Sequence, residues 1–232
     1  MGQRHMGQPG GEVMLEGFGA TVTPDELKDL MTRGVRRPFR RGSFMMTEGE
    51  ASDHVIVLIS GRAKVSSYTE DGKEVVLAVR GPGELLGELS AIDGNPRSAT
   101  VSALEPIEAL IVRSEHFVEF LTEHPRLAIL LIQSTIRRLR DADRKRIEFG
   151  AFDTPARVAR RLLELVDRYG ETDGPSVRIS LSLTQDELAG WTGSSREAVS
   201  KALREFRDRG WISTGRRSIV VLDLEALRGR AL

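Results

Sequence analysis

The chain has no cysteine. That excludes a disulfide scaffold, a thiolate-held zinc or iron–sulfur centre and a cysteine nucleophile, and it fits a reducing cytoplasm. An excess of either charge is also missing. Against 34 Lys plus Arg stand 34 Asp plus Glu, so any nucleic-acid surface has to come from local clustering. No apolar run approaches the roughly 20 residues that cross a bilayer. The longest lies around Leu127–Ile132, and the first residues lack the apolar core of a secretory signal, so no membrane partner is expected. Histidine is scarce. His5, His54, His116 and His124 show no ligand spacing, which argues against a metal-dependent enzyme on a cupin-like barrel. What remains is 232 residues, 40% apolar and 29% charged: an ordinary globular composition, long enough for one large domain or two smaller ones.

Pattern divides the chain into four. Residues 1–20, rich in Gly, Gln and Met without periodicity, read as a flexible tail. Residues 21–124 begin with a helix opened by Thr23-Pro24-Asp25-Glu26, a hydroxyl cap followed by Pro and acids in the first turn. From about 39 to 113, short strands follow one another, with Asp71-Gly72 as a hairpin signal. Many short strands at near-regular spacing predict a barrel or sandwich. Residues 125–153 form a long helix from Pro125 to about Gly150, then a hinge at Asp153-Thr154-Pro155. Its Ile129, Ile132, Ile136, Leu139 and Asp143 follow a spacing of three and four, the seam of a helix paired with a copy of itself. The alternative is that this stripe packs on the chain's own barrel. Residues 154–232 are a second folding unit, opened by the amphipathic "TPARVARRLLELVDRYG".

Within that unit, "LTQDELAGWTGSSREAVSKALREF" reads as two helices joined by a tight turn at Gly193. Thr184 to Glu187 and Ser194 to Glu197 both have the spacing of a capping box. Val199, Ala202, Leu203 and Phe206 form the buried face of the second helix. Its outer face carries Ser195, Arg196, Glu197, Ser200, Lys201 and Arg204, a set able to meet base edges in a major groove, Arg or Lys at guanine and Glu at cytosine. Thr184 sits at the entry to the first helix. Arg207 and Arg209 suit phosphates, and Arg216-Arg217 tip a β-hairpin wing that can lie on the backbone.

A second unusual stretch is "GELLGELSAIDGNPRSATV", which interrupts the strand pattern. Two readings fit it. A buried cyclic phosphodiester needs a bidentate cation (Arg97), a hydroxyl donor (Ser98), and N–H groups exposed by small residues such as Gly87, Ser90 and Ala99. Glu88 would then take a ribose hydroxyl. Alternatively, Glu88 and Arg97 form a structural ion pair across a turn.

The two motifs, in this order and separation, resemble the CRP/FNR superfamily of bacterial regulators, on the branch typified by the cAMP receptor protein. The resemblance runs from about residue 22 to the end. It implies an α+β fold: an N-terminal cyclic-nucleotide-binding β-roll of jelly-roll type, a long dimerisation helix and a C-terminal winged helix-turn-helix. It implies that Gly87 and Glu88 hold the ribose and Arg97 and Ser98 the cyclic phosphate, with Leu89, Ser90 and Ala99 completing the set. Arg196, Glu197 and Lys201 would stand at base-contacting positions. The implied effector is cAMP with no other cofactor. The implied partners are double-stranded DNA carrying a palindromic site, a second copy of the chain and RNA polymerase, and no enzymatic activity is implied. Two departures stand out. Lys201 replaces an arginine usual in cAMP receptor proteins. Ala142 and Asp143 replace the small polar pair that reaches adenine. A carboxylate suits guanine N1–H and N2–H, so Asp143 keeps cGMP open as effector, as well as a regulator free of ligand control.

Overall fold

The structure, a computed structural model, describes residues 18–232 apart from Lys73, Ser182, Arg216, Arg217 and the side chain of Asp173. The expected tail therefore lies almost wholly outside the described residues, as do the two arginines of the wing.

After a single 3-10 turn at Gly19–Thr21, helix α1 spans Pro24–Thr32. Its cap is the one the sequence predicts. Thr23 Oγ1 accepts from Glu26 N at 3.3 Å, and Thr23 N donates to Glu26 Oε2 at 2.8 Å. Strands β1 (Gly34–Phe39), β2 (Phe44–Met46), β3 (His54–Ser60), β4 (Ala63–Tyr68), β5 (Glu74–Arg80) and β6 (Leu85–Leu86) follow. A short helix α2 (Glu88–Asp93) precedes β7 (Thr100–Ala103) and β8 (Ile107–Arg113). The strands make two four-stranded sheets, in the orders β1-β8-β3-β6 and β2-β7-β4-β5, with every pairing antiparallel. Ile56, Leu58 and Ala109 are fully buried between them, while Val55, Leu110 and Val112 are buried on the other face, against helix residues such as Phe117 and Phe120. This is the expected β-roll. Gly72 turns β4 into β5 at φ 78°, a conformation that glycine adopts without a Cβ clash.

Helix α3 (Ser114–Glu123) and the 27-residue α4 (Pro125–Ala151) cross the roll. Leu127 and Leu131 of α4 are buried against it, whereas Ile129, Ile132, Ile136 and Leu139 are between 44% and 62% exposed. These four seam residues are thus about half exposed in the single chain rather than buried in its core. Helix α4 stops at Phe152, which is extended. Asp153, the expected hinge, caps α5 (Thr154–Tyr169) by accepting from Ala156 N at 2.9 Å. It also receives Arg230 at 2.7 Å, so the joint is held from the far end of the chain.

The remaining elements are β9 (Gly170–Asp173), β10 (Ser176–Ile179), α6 (Gln185–Thr192), α7 (Arg196–Asp208), β11 (Ile212–Gly215), β12 (Ser218–Val221) and α8 (Leu224–Arg230). Strands β11-β12-β10-β9 form a third antiparallel sheet. Gly170 is more than the helix stop that its position suggests, since it opens β9; the β9–β10 hairpin and α8 go beyond what the sequence patterns foretell. Helix α6 seats on β5. Val76, Val79 and Leu104 of the roll share one buried cluster with Leu188, Trp191 and Phe206, and a Cβ on Gly190 would lie 2.9 Å from Glu74 O. Among the described residues no helix is long and apolar enough to cross a membrane.

Candidate ligand cradle and nucleic-acid interface

The interrupted stretch is a helical turn between two left-handed glycines, not an open loop. Gly87 (φ 79°) enters α2 and Gly94 (φ 71°) leaves it. Arg97 follows, with its backbone fixed to the turn before β3: Arg97 N donates to Glu50 O and Gly49 N donates to Arg97 O, both at 2.8 Å. Its guanidinium is buried, with the residue 5% exposed. There Nη1 donates to Gly87 O at 3.2 Å and Nη2 to His54 O at 2.6 Å. Two of its five N–H groups are so used. Among the described residues no carboxylate lies within ion-pair distance of it. Burial lowers its pKa, and Asp53, Glu88 and Glu50 act only from a distance to raise it. A buried cation held by neutral carbonyls is a site in want of an anion.

Glu88 does not pair with Arg97. Its carboxylate is buried and ion-paired to Arg138 of α4, which also donates to Leu85 O at 3.2 Å. The structural ion pair between Glu88 and Arg97 is thereby ruled out in this conformation. Ser90 is buried, its Oγ donating to Pro96 O at 3.2 Å. Leu89 is 44% exposed, Ser98 is exposed and Ala99 half-buried. All of them, with Gly87, Glu88, Arg97, Ala142 and Asp143, line one cleft of about 1370 Å³ between the roll, α4 and α5.

The second predicted surface is also assembled. Thr184 caps α6 through a reciprocal box with Glu187, its hydroxyl taking Glu187 N at 3.1 Å. The second expected box is not formed. Ser195 rather than Ser194 caps α7, accepting from Ala198 N at 3.2 Å, which places Ala198 where the box needs Glu. Ser194 is instead buried and takes Arg157 Nη2 at 3.0 Å. Gly193 makes the turn at φ 59°. Val199, Ala202, Leu203 and Phe206 are buried as predicted. Arg196, Glu197, Ser200, Lys201 and Arg204 line a shallow depression of about 490 Å³ together with Gln185. Hydrogen bonding at the α7 N-terminus, from the backbone and Ser195, holds the Glu197 carboxyl below its usual range. Arg209 reaches Glu205 at 3.0 Å and Arg207 reaches Thr214 at 2.9 Å, and both are exposed.

Comparison with known proteins decides the lineage. The cyclic nucleotide-binding domain family matches residues 36–124, and the Crp-like helix-turn-helix domain family matches 156–230. The chain is 35% identical over 193 residues to a CRP-like cAMP-activated global transcriptional regulator of Mycobacterium tuberculosis, covering 83% of this chain and 86% of that one. It belongs to the CRP/FNR superfamily. A cyclic AMP receptor protein of Thermus thermophilus is 31% identical, covering 89% of this chain and 92% of that one. The crystal structure of a CRP-family transcriptional regulator, also from Thermus thermophilus, superimposes with a TM-score of 0.71 at 26% identity, over 84% of this chain and 96% of that one. The chain is thus a DNA-binding transcription regulator with a cyclic nucleotide-binding domain.

Within this CRP/FNR architecture, two residues outside the predicted sites join the parts. Arg138 ties α4 to the cradle through Glu88. Arg157 ties α5 to the reading unit, its Nε donating to Thr192 O at 2.9 Å and Nη1 to Phe152 O at 2.7 Å. A signal for Arg138 was available: with Ala142 and Lys145 it stands at i, i+4 and i+7, one helix face. Arg157 had none, since its link to the reading unit is to Thr192 O, 35 residues on. Asp29, Glu123 and His124 also converge, but Arg33 already bridges the two carboxylates, at 2.8 and 2.5 Å.

Proposed function

We propose that the protein is a homodimeric transcription regulator whose affinity for a palindromic DNA site is set by cAMP. The observation that carries this reading is Arg97, buried, held by two carbonyls and, among the described residues, with no acid within ion-pair distance. The cyclic phosphate would complete its shell, with Ser98 and the N–H groups around α2 as further donors. Glu88 would accept a ribose hydroxyl while Arg138 keeps it linked to α4. Because the cradle and α4 are joined at this pair, ligand occupancy bears directly on the helix that leads to the reading unit. Ligand acts only through its different affinity for the DNA-competent arrangement. The hinge would lie at Phe152 and Asp153. The exposed row Ile129, Ile132, Ile136 and Leu139 supports pairing of α4 with its copy. Thr184, Ser195, Arg196, Glu197, Ser200, Lys201 and Arg204 would face DNA, with the wing arginines Arg216 and Arg217. RNA polymerase and a cytoplasmic setting complete the reading.

The cAMP-activated relative and the cyclic AMP receptor protein support adenine as the base. One observation favours cGMP: Asp143 lines the same cleft, with no cation within ion-pair distance among the described residues. The test is fluorescence anisotropy of a duplex selected from a random pool, titrated with protein alone, with cAMP and with cGMP. A change of tenfold or more with one nucleotide is expected, abolished by Arg97→Gln. Equal affinity in all three titrations rejects ligand control and leaves a constitutive regulator.

A further inference from the structure

The cleft is larger than one cyclic mononucleotide needs. Its roughly 1370 Å³ exceeds the roughly 300–1,000 Å³ typical of small-molecule pockets. The part away from Arg97 lies between β5, the end of α4 and α5, and its polar walls are mostly cationic: Arg80, Lys145, Arg160, Arg161 and Arg168. The acids there are largely engaged. Glu84 pairs with Arg80 at 3.1 Å, while Glu148 and Glu164 both pair with Arg161. Asp167 is exposed.

Three of these cations keep N–H groups to spare. Lys145 Nζ makes one hydrogen bond, to Leu77 O at 2.9 Å, and sits 5.7 Å from the centre of the Trp191 ring. Neither Lys145 nor Arg168 has a carboxylate within ion-pair distance among the described residues, and Arg168 is exposed and hydrogen-bonded to Tyr169. Arg160 Nη1 reaches Glu148 at 3.6 Å, but its Nε is buried with no acceptor. Burial lowers the Lys145 pKa to about 8, with Arg161, Arg80 and Arg168 adding to it against the pull of Glu164. An isolated solvated charge needs no partner; part-buried cations such as Arg80, Lys145 and Arg160 facing one cleft do.

We infer that Arg80, Lys145, Arg160 and Arg168 form a second anion site, separate from the Arg97 cradle, which takes the phosphate group of a phosphate ester. Leu77 and Leu163, which line the same walls, offer apolar surface to the organic part. The site joins three bodies: Arg80 belongs to the roll, Lys145 to α4, and Arg160 and Arg168 to the first helix of the DNA-binding unit. An anion there fastens that unit in the posture seen here.

The test is scanning calorimetry at constant ionic strength with inorganic phosphate, pyrophosphate and AMP as probes, on the parent, Arg97→Gln and Lys145→Gln/Arg168→Gln. At about ten times its dissociation constant a probe should raise the melting temperature by about 3–5 °C. The rise should be the same in Arg97→Gln and absent in the double variant, with AMP acting at lower concentration than inorganic phosphate. Arg168→Gln alone, at an exposed position, replaces the double variant if that does not fold, and should weaken the probe at least fivefold. No rise in the parent overturns the inference. So does a rise lost in Arg97→Gln, which puts the anion in the cradle, or one retained without Lys145 and Arg168, which marks scattered surface binding. Because Arg97→Gln removes the proposed cAMP response but not this one, failure of either reading is told apart from failure of the other.

Discussion

Gly87→Ala tests the cradle without altering a charge. Gly87 has φ 79°, and a Cβ there would stand 2.2 Å from Arg97 Nη1, 2.6 Å from Met46 Cε and 3.0 Å from Met46 Sδ. Met46 is a flexible thioether and can yield. Arg97 cannot move without losing its bond to Gly87 O or to His54 O. A non-glycine residue in the left-handed region costs about 1–2 kcal/mol, and a hydrogen bond from a charged donor contributes about 1.5–3 kcal/mol. The expected loss is about 2.5–5 kcal/mol, or roughly 5–20 °C in melting temperature for a chain of this size. Gly94→Ala is the internal control. Gly94 has nearly the same φ, 71°, but nothing lies within 4 Å of its Cβ position, so only the backbone part, about 1–2 kcal/mol, applies. Calorimetric unfolding together with cAMP titration separates the two. Gly87→Ala should melt well below Gly94→Ala and bind at least tenfold more weakly, whereas Gly94→Ala should bind as the parent does. Equal melting temperatures with equal affinities would refute the claim that Arg97 is held in one position by that carbonyl and that glycine.

Arg138→Gln leaves the buried Glu88 carboxylate without its cation. Arg138 is a quarter exposed, so a loss of about 1–3 kcal/mol is expected in urea unfolding, largely regained in Glu88→Gln/Arg138→Gln. Ile132→Glu/Ile136→Glu, at two positions about half exposed in the single chain, should leave the circular dichroism spectrum intact and shift sedimentation from dimer to monomer; retention of a dimer would place the interface elsewhere. Lys145 gives a pH signature. With its pKa lowered from 10.5 to about 8, the native chain binds fewer protons than the unfolded chain between those values, so stability should rise with pH across about pH 8–10.5. Lys145→Met should flatten that rise in urea melts at pH 7.5 and 10, and an unchanged slope would show that the ammonium is solvated.

The strands, the long helix and the helix-turn-helix were legible because each is a local pattern: apolar runs with glycine turns, a stripe at three-four spacing, a hydroxyl three residues before a glutamate. The cradle residues were legible as types, since Arg, Ser and small residues in one stretch suit a phosphate, but their partners were not. Whether Glu88 turns to Arg97 or to Arg138 depends on how α4 crosses the roll, a packing outcome with no signature in residues 83–101. The misplaced cap at α7 has a similar cause. Ser194 and Ser195 are adjacent and chemically alike, and Arg157, distant in sequence, takes the first of them. The β9–β10 hairpin escaped notice because Gly170-Glu-Thr-Asp carries no apolar alternation; it is recruited as the edge of a sheet whose centre is β10 and β12.

The seating of α6 on β5 bears on how a small ligand could act over such a distance. The interface is apolar at its centre and polar at its rim, where Arg62 reaches Ser180 at 3.3 Å and Lys64 reaches Glu187 at 3.8 Å. Yet Trp191 Nε1 is buried there without a partner, an omission worth about 1–3 kcal/mol against this posture. A regulator needs its two arrangements to lie within a few kcal/mol of each other, because a ligand shifts the balance only by its differential affinity. A well-satisfied interface would hold the reading helix in one orientation whatever the cradle contained. On the reading proposed above, an interface with an unpaired indole N–H and a part-buried lysine beneath the ring leaves room for occupancy at Arg97, passed through Glu88 and Arg138 into α4, to bias where the reading helix points.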